Sequence, residues 1–126
     1  MKNDKKIEIL TIEDDKFLLK AYKIKFSQAG FDIITATDGA TGLELAKKEM
    51  PAVILLDLML PKMNGFEFLK KIKSDEQTKN IPVLVLSNLG QKDDRERATS
   101  LGAVEYLIKT DCKLEEIVEK IRKYII

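Results

Sequence analysis

The chain has 126 residues, of which 44% are apolar and 34% are charged. This size predicts one compact domain over residues 1–126, and the share of apolar residues excludes a disordered chain. The 22 basic and 21 acidic side chains leave a net charge of +1, so no positive field favours direct binding of nucleic acid or of anionic lipid.

Short aliphatic runs alternate along the chain with longer segments whose apolar residues recur every three or four positions. This pattern predicts alternating strands and helices. The predicted strands cover residues 7–12, 31–37, 52–57, 82–87 and 104–108. The third and fourth are continuously apolar, which is typical of strands that are buried on both faces of a parallel sheet.

Five helical segments follow these strands, and they are predicted to begin near residues 16, 39, 64, 91 and 112. We expect Asp15 to cap the first helix and Gly30 to end it in a left-handed conformation. The second helix is expected to bury Leu43, Ala46 and Met50. Five strand-helix units with right-handed crossovers predict a three-layer α/β sandwich with helices on both faces of the sheet.

The residue types limit both the chemistry and the location. The sequence has no histidine, which excludes Ser-His and Cys-His nucleophiles and histidine metal ligands. Its one cysteine, Cys112, cannot form an intramolecular disulfide. The longest apolar runs are far shorter than the roughly 20 residues of a membrane-spanning helix, and no apolar secretion signal follows the polar start. We therefore expect a cytoplasmic location without membrane insertion.

Polar side chains stand where four of the predicted strands end: Glu13 and Asp14, Asp57, Ser87, and Lys109. Ligands of open parallel sheets bind outside the carboxyl ends of the strands, so these side chains define a candidate site. Three carboxylates repel one another without a counter-ion, which predicts a divalent cation, first of all Mg²⁺. A carboxylate beside a metal, with a lysine and a hydroxyl nearby, suits phosphoryl transfer.

Four motifs occur in order along the chain: ILTIEDD at 9–15, LDLMLPKMNG at 56–65, Ser87, and LGAVEYLIK at 101–109. Together they resemble the receiver domain of bacterial response regulators, the CheY-like family. The resemblance extends over residues 7–124. It implies a doubly wound, flavodoxin-like (βα)5 fold with five parallel strands in the order 2-1-3-4-5.

The resemblance also implies a role for each acidic residue of the site. Asp57 would be the phosphoacceptor. Glu13, Asp14 and Asp57, together with the backbone carbonyl of Met59, would hold Mg²⁺.

Three further roles follow from the same resemblance. Ser87 and Lys109 would contact the phosphoryl group, and Tyr106 would be the aromatic switch residue that follows Ser87 inward. The family usually has proline after the site lysine, often through a cis bond, whereas this chain has Thr110. A cis bond to threonine would cost about 3 to 4 kcal/mol, so we expect a trans bond between Lys109 and Thr110.

The function implied by the resemblance is two-component phosphorelay signalling. A sensor histidine kinase or a phosphotransfer protein would pass a phosphoryl group from phosphohistidine to Asp57. The surface of the fourth helix, fifth strand and fifth helix would then change and bind a downstream effector protein, or form a phosphorylation-dependent dimer. The only reactions that the chain would catalyse are its own phosphorylation and dephosphorylation. We therefore do not expect an enzyme that acts on external substrates.

Three other functions are compatible with the same strand pattern. A flavodoxin-like cofactor binder needs a phosphate loop rich in Ser, Thr and Gly after the first strand, where this chain has Glu13, Asp14 and Asp15. An aspartate-nucleophile phosphatase typically has a second aspartate two residues after the nucleophile, where this chain has Met59. The third alternative is an interaction module that works without phosphorylation, against which the complete acidic set argues.

Overall fold

The computed structural model describes residues 7–88 and 92–125, and there five strands alternate with five helices. The strands are β1 (Ile7–Ile12), β2 (Phe31–Ala36), β3 (Val53–Leu56), β4 (Val83–Ser87) and β5 (Glu105–Ile108). The helices are α1 (Lys16–Gln28), α2 (Gly39–Glu49), α3 (Gly65–Ser74), α4 (Lys92–Ser100) and α5 (Leu114–Lys123). A 3₁₀ turn over Lys109–Asp111, which was not predicted, precedes α5. The predicted helix start at residue 91 lies outside the described residues.

All five strands are parallel and form one sheet in the order β2-β1-β3-β4-β5, which confirms the predicted fold class. The register aligns the carboxyl ends of the strands. Ile12 in β1 pairs with Leu56 in β3, and Ser87 in β4 pairs with Ile108 in β5. The residues that follow these positions therefore meet at one edge of the sheet.

Each face of the sheet is covered by helices that bury their apolar stripe. Helices α1 and α5 cover one face, and their buried side chains are Leu19, Tyr22, Phe26, Ile117, Val118 and Ile121. Helices α2, α3 and α4 cover the other face, and their buried side chains are Ala46, Phe66, Phe68, Leu69, Ile72 and Ala98. The central strand β3 alternates between the two clusters, so it is buried on both faces as its apolar sequence predicted.

The ends of α1 confirm the predicted capping residues. The Asp15 carboxylate accepts hydrogen bonds from the backbone N–H groups of Phe17 and Leu18 at 2.9 and 3.2 Å, which satisfies two donors that have no partner within the helix. Gly30 follows the helix with φ at +93°, a conformation that glycine adopts without steric cost. The helix therefore begins and ends where its sequence indicates.

The prediction that Met50 lies in the core is wrong. Helix α2 ends at Glu49, and Met50 adopts a left-handed conformation with φ at +48°, so its side chain leaves the helical stripe and is 51% exposed. Leu43 is partly buried and Ala46 is fully buried, as predicted. The close contact of α2 with the sheet is made instead at Gly42, where an added Cβ would lie 2.6 Å from the side chain of Ile12.

Within residues 7–88 and 92–125, none of the helices combines the length and the apolar composition needed to cross a bilayer.

A glycine holds the chain in place directly after β3. The N–H of Gly65 donates to the carbonyl of Leu58 at 2.9 Å, and a Cβ on Gly65 would lie 2.5 Å from the Cα of Leu58 and 3.0 Å from the carbonyl oxygen of Asp57. Because these neighbours are backbone atoms, they cannot move aside by changing a rotamer. The start of α3 therefore fixes the segment that carries Asp57.

We predict that Gly65→Ala lowers the free energy of unfolding by about 1 to 3 kcal/mol, because the new methyl group overpacks this contact. Urea denaturation followed by circular dichroism measures the change. Glu67→Ala, on the exposed side of the same helix, is the control and should stay within about 0.5 kcal/mol of wild type. Equal stability of Gly65→Ala and wild type would show that the backbone there is free to yield.

Candidate functional site

The site lies where the strand connections change direction. Strands β1 and β3 are neighbours at the centre of the sheet, and the chain leaves them toward opposite edges, so a crevice forms at their carboxyl ends. Glu13 and Asp57 are the first residues after these strands. The Asp57 N–H donates to the carbonyl of Ile12 and the Glu13 N–H donates to that of Ala36, both at 3.0 Å. The sheet therefore fixes the backbone of both acidic residues.

Three carboxylates converge in this crevice. Glu13, Asp14 and Asp57 each offer an oxygen atom, and these oxygens lie within 4.8 Å of one another. Glu13 is 2% exposed and Asp57 is 5% exposed, whereas Asp14 is open to solvent. The structure thus brings together the acidic residues that the sequence predicted, with two at the bottom of the crevice and one at its mouth.

Lys109 supplies a positive charge between the two buried carboxylates. Its Nζ lies 2.6 Å from Oε1 of Glu13 and 3.3 Å from Oδ2 of Asp57. The lysine reaches this position because it directly follows β5 and begins the 3₁₀ turn. Its peptide bond to Thr110 is trans, as predicted.

The pKa shifts of Glu13 and Lys109 reflect both burial and the charges of their neighbours. Burial raises the pKa of Glu13, and the nearby Asp57 charge adds to that rise, although the hydrogen bond from Lys109 opposes it. Burial alone would lower the pKa of Lys109, but its hydrogen bond to Glu13 and the charges of both carboxylates raise it above 10.5. The raised pKa of Lys109 means that the two carboxylates stabilise its charged form.

Backbone donors orient the two buried carboxylates. The Met59 N–H donates to Oδ1 of Asp57 at 3.1 Å, and the Asp15 N–H donates to Oε2 of Glu13 at 3.2 Å. Each carboxylate therefore has one oxygen held by the backbone and the other near Lys109. The Met59 side chain is 61% exposed at the rim of the site, and the metal-binding role of its carbonyl stays a prediction.

Ser87 and Tyr106 lie on the two strands beyond β3, and both are buried, at 0% and 6% exposure. Burial raises the pKa of Tyr106, while a hydrogen bond with the Ser87 side chain and the charge of Arg95 lower it. The two residues with predicted switching roles are therefore in direct contact. Their function as a switch stays a prediction.

One neighbour of the site was missed by sequence reasoning. Residues 92–97 are all charged, but the guanidinium carbon of Arg95 lies 5.0 Å from the centroid of the Tyr106 ring. The contact joins α4 to β5, and the charged sequence of α4 carries no signal for it. It becomes visible once the sheet places β5 beside that helix.

The arrangement has the chemistry of a divalent-metal site beside a nucleophile. Its acidic donors are hard oxygen atoms, the ligand type that Mg²⁺ prefers. Asp57 is both a member of this set and the carboxylate closest to the end of the central strand β3. The residues present therefore fit the predicted ion.

Comparisons with known proteins give the same result. The family model of the response regulator receiver domain matches residues 9–122. The DNA-binding dual master transcriptional regulator RpaA of Synechocystis is 40% identical over 114 residues, which are 90% of this chain and 47% of RpaA. The polar-differentiation response regulator DivK of Brucella ovis is 29% identical over 117 residues, which are 93% of this chain and 94% of DivK. The chain thus spans about half of RpaA and nearly all of DivK.

A solved structure shares the architecture over almost the full chain. The chemotaxis protein CheY4 of Vibrio cholerae superimposes with a TM-score of 0.88 at 26% identity, covering 95% of this chain and 99% of that protein. This superposition shows that the two chains share one fold over nearly their whole length. The chain therefore belongs to the response regulator receiver domain family of two-component signalling.

Proposed function

We propose that this chain is a phosphorylation-controlled switch whose phosphoacceptor is Asp57. The observation that carries the proposal is the environment of that carboxylate, which is 5% exposed, lies against two other carboxylates and is 3.3 Å from the Lys109 ammonium. The donor would be the phosphohistidine of a sensor histidine kinase or of a phosphotransfer protein. The chain's own chemistry would be limited to its phosphorylation and dephosphorylation.

The transfer exchanges one bond to phosphorus for another. A carboxylate oxygen of Asp57 forms the new O–P bond while the P–N bond to the donor imidazole breaks, and the imidazole keeps the electron pair and takes up a proton from solvent. Lys109 holds positive charge where the phosphoryl oxygens arrive. The Met59 N–H keeps the Asp57 carboxylate oriented during the reaction.

Mg²⁺ is the proposed cofactor, held by Glu13, Asp14 and Asp57 with the carbonyl of Met59. Three carboxylates and one ammonium leave two formal negative charges in the crevice, which a divalent cation balances. When bound, the ion would neutralise charge on the oxygens of the transferred group. The support for this cofactor is the all-oxygen donor set within 4.8 Å.

The proposed output is a changed surface of α4, β5 and α5. The phosphoryl group would attract the Ser87 hydroxyl, and Tyr106, which contacts Ser87, would adjust with it. The partner that reads this surface would be a downstream effector protein or a second copy of the chain. Direct DNA binding is not assigned to this domain, because RpaA is about twice as long as the matched segment and the net charge here is +1.

We predict one phosphoryl adduct when the protein is treated with acetyl phosphate and Mg²⁺, and none in Asp57→Asn. Intact-mass spectrometry measures both. Asp32→Asn, at an exposed position of β2, is the matched control and should be labelled like wild type. Excess EDTA should prevent labelling while circular dichroism stays unchanged. An adduct that survives in Asp57→Asn would overturn the assignment of the acceptor, and full labelling in EDTA would overturn the role of the metal.

We predict that Lys109→Met lowers the free energy of unfolding by about 3 kcal/mol at neutral pH, because two buried carboxylates lose their cation. The raised pKa of Lys109 means that its stabilisation is complete at neutral pH and is lost as the pH rises beyond 10.5. In acid the loss caused by the substitution should shrink, since protonated carboxyl groups need no cation. Urea denaturation of wild type and Lys109→Met at several pH values measures this difference in the free energy of unfolding.

Lys92→Met is the control for this substitution. Lys92 is an exposed lysine whose ion pair with Glu96 spans 3.8 Å at the surface, so its loss should change stability by less than about 0.5 kcal/mol. If Lys109→Met lowered the free energy of unfolding as little as the control does, or lowered it more in acid than at neutral pH, the charge balance described for the crevice would be contradicted.

A further inference from the structure

Helix α4 is attached to the fold in a different way from its neighbours. Its sequence, KDDRERATS, buries Ala98 as its one fully covered residue, whereas α1, α3 and α5 each bury at least three apolar side chains. Helices in proteins are stabilised mainly by packing of an apolar face. Apolar burial therefore contributes little to the position of α4, and other contacts must determine it.

Two arginines make those contacts. The guanidinium carbon of Arg95 lies 5.0 Å from the centroid of the Tyr106 ring in β5, and that of Arg97 lies 4.1 Å from the centroid of Phe66 in α3. A guanidinium group above an aromatic face is held by electrostatic attraction to the ring. The two arginines thus connect α4 to two different elements, one of which carries the proposed switch residue.

The Arg95 side chain is fixed at two points. Its Nη1 also donates a hydrogen bond to the backbone carbonyl of Tyr106 at 3.3 Å. This second contact is to the main chain, so it does not depend on the orientation of the Tyr106 ring. Arg95 itself is exposed, while the ring beneath it is 6% exposed. The guanidinium group therefore covers the side of the ring that would otherwise face solvent.

Tyr106 is thereby held from two sides. Its hydrogen bond with Ser87 connects it to the phosphoacceptor site, and the contact with Arg95 connects it to α4. If the ring rotated outward, it would lose both contacts and displace the guanidinium group. These contacts connect Ser87, at the carboxyl end of β4, through Tyr106 to an otherwise weakly packed helix.

We propose that Arg95 is a positioning residue that latches Tyr106 in its buried orientation and makes α4 follow that side chain. The regulatory meaning of the latch rests on the proposed switching function of Tyr106. The latch itself is a property of the unphosphorylated protein. It can therefore be tested without any phosphoryl donor.

The test measures the exposure of the Tyr106 ring directly. The chain has three tyrosines, so protein labelled with 3-fluorotyrosine should give three ¹⁹F signals, of which Tyr106→Phe identifies one. Broadening of that signal by a soluble gadolinium chelate reports contact of the ring with solvent. In Arg95→Ala we expect the ratio of buried to exposed ring to fall about two- to fivefold, the factor that a surface cation–π contact supplies.

Three further variants separate a latch from a general effect on the helix. Arg97→Ala removes the same residue type from the same helix but contacts Phe66, so the Tyr106 signal should remain as in wild type. Arg95→Lys keeps a cation above the ring and should restore part of the protection. Arg95→Met keeps the length of the side chain without its charge and should behave like Arg95→Ala.

Several outcomes would overturn the latch: an unchanged Tyr106 signal in Arg95→Ala, an equal change in Arg97→Ala, or full protection in Arg95→Met. Acetyl phosphate labelling of the same variants keeps the two proposals apart. Arg95→Ala should still be labelled at Asp57, because its side chain contacts Tyr106 rather than the crevice. Absence of labelling in wild type would refute the proposed function and leave the ring measurement valid.

Discussion

The ammonium group of Lys109 lies between the buried carboxylates of Glu13 and Asp57, and the chemistry proposed for the site depends on that contact. Two carboxylates buried side by side repel each other and lose hydration, so they need a cation nearby. One lysine balances part of the negative charge of the three carboxylates in the crevice, and a divalent cation would balance the two formal negative charges that remain. The same contact joins the carboxyl end of β5 to the residues that follow β1 and β3 at the centre of the sheet.

Much of this site could be predicted because a parallel sheet converts sequence position into spatial position. The residue that ends one apolar strand lies beside the residue that ends the next, so Glu13 and Asp57 had to meet once Ile12 paired with Leu56. The assignment of roles needed more than this geometry. The roles came from the resemblance to the receiver domain family. The family model that matches residues 9–122 confirms membership of that family.

Other features depend on contacts that no local pattern encodes. The apolar spacing of α2 continues to Met50, but the helix ends one residue earlier and the left-handed turn exposes that side chain. The pairing of Lys109 with Glu13 joins residues 96 positions apart. The charged sequence of α4 does not indicate the contact of Arg95 with Tyr106, because the partner ring belongs to another element. Such features follow from tertiary placement rather than from periodicity.

The most direct measurement is a crystal structure of the protein with Mg²⁺ and beryllofluoride, which mimics a phosphoryl group on a carboxylate. The account predicts beryllofluoride bound to Asp57 and in contact with Lys109 and Ser87, with the metal ion among the oxygens of Glu13, Asp14 and Asp57. Beryllofluoride bound to another carboxylate, or a metal ion bound away from this crevice, would contradict it.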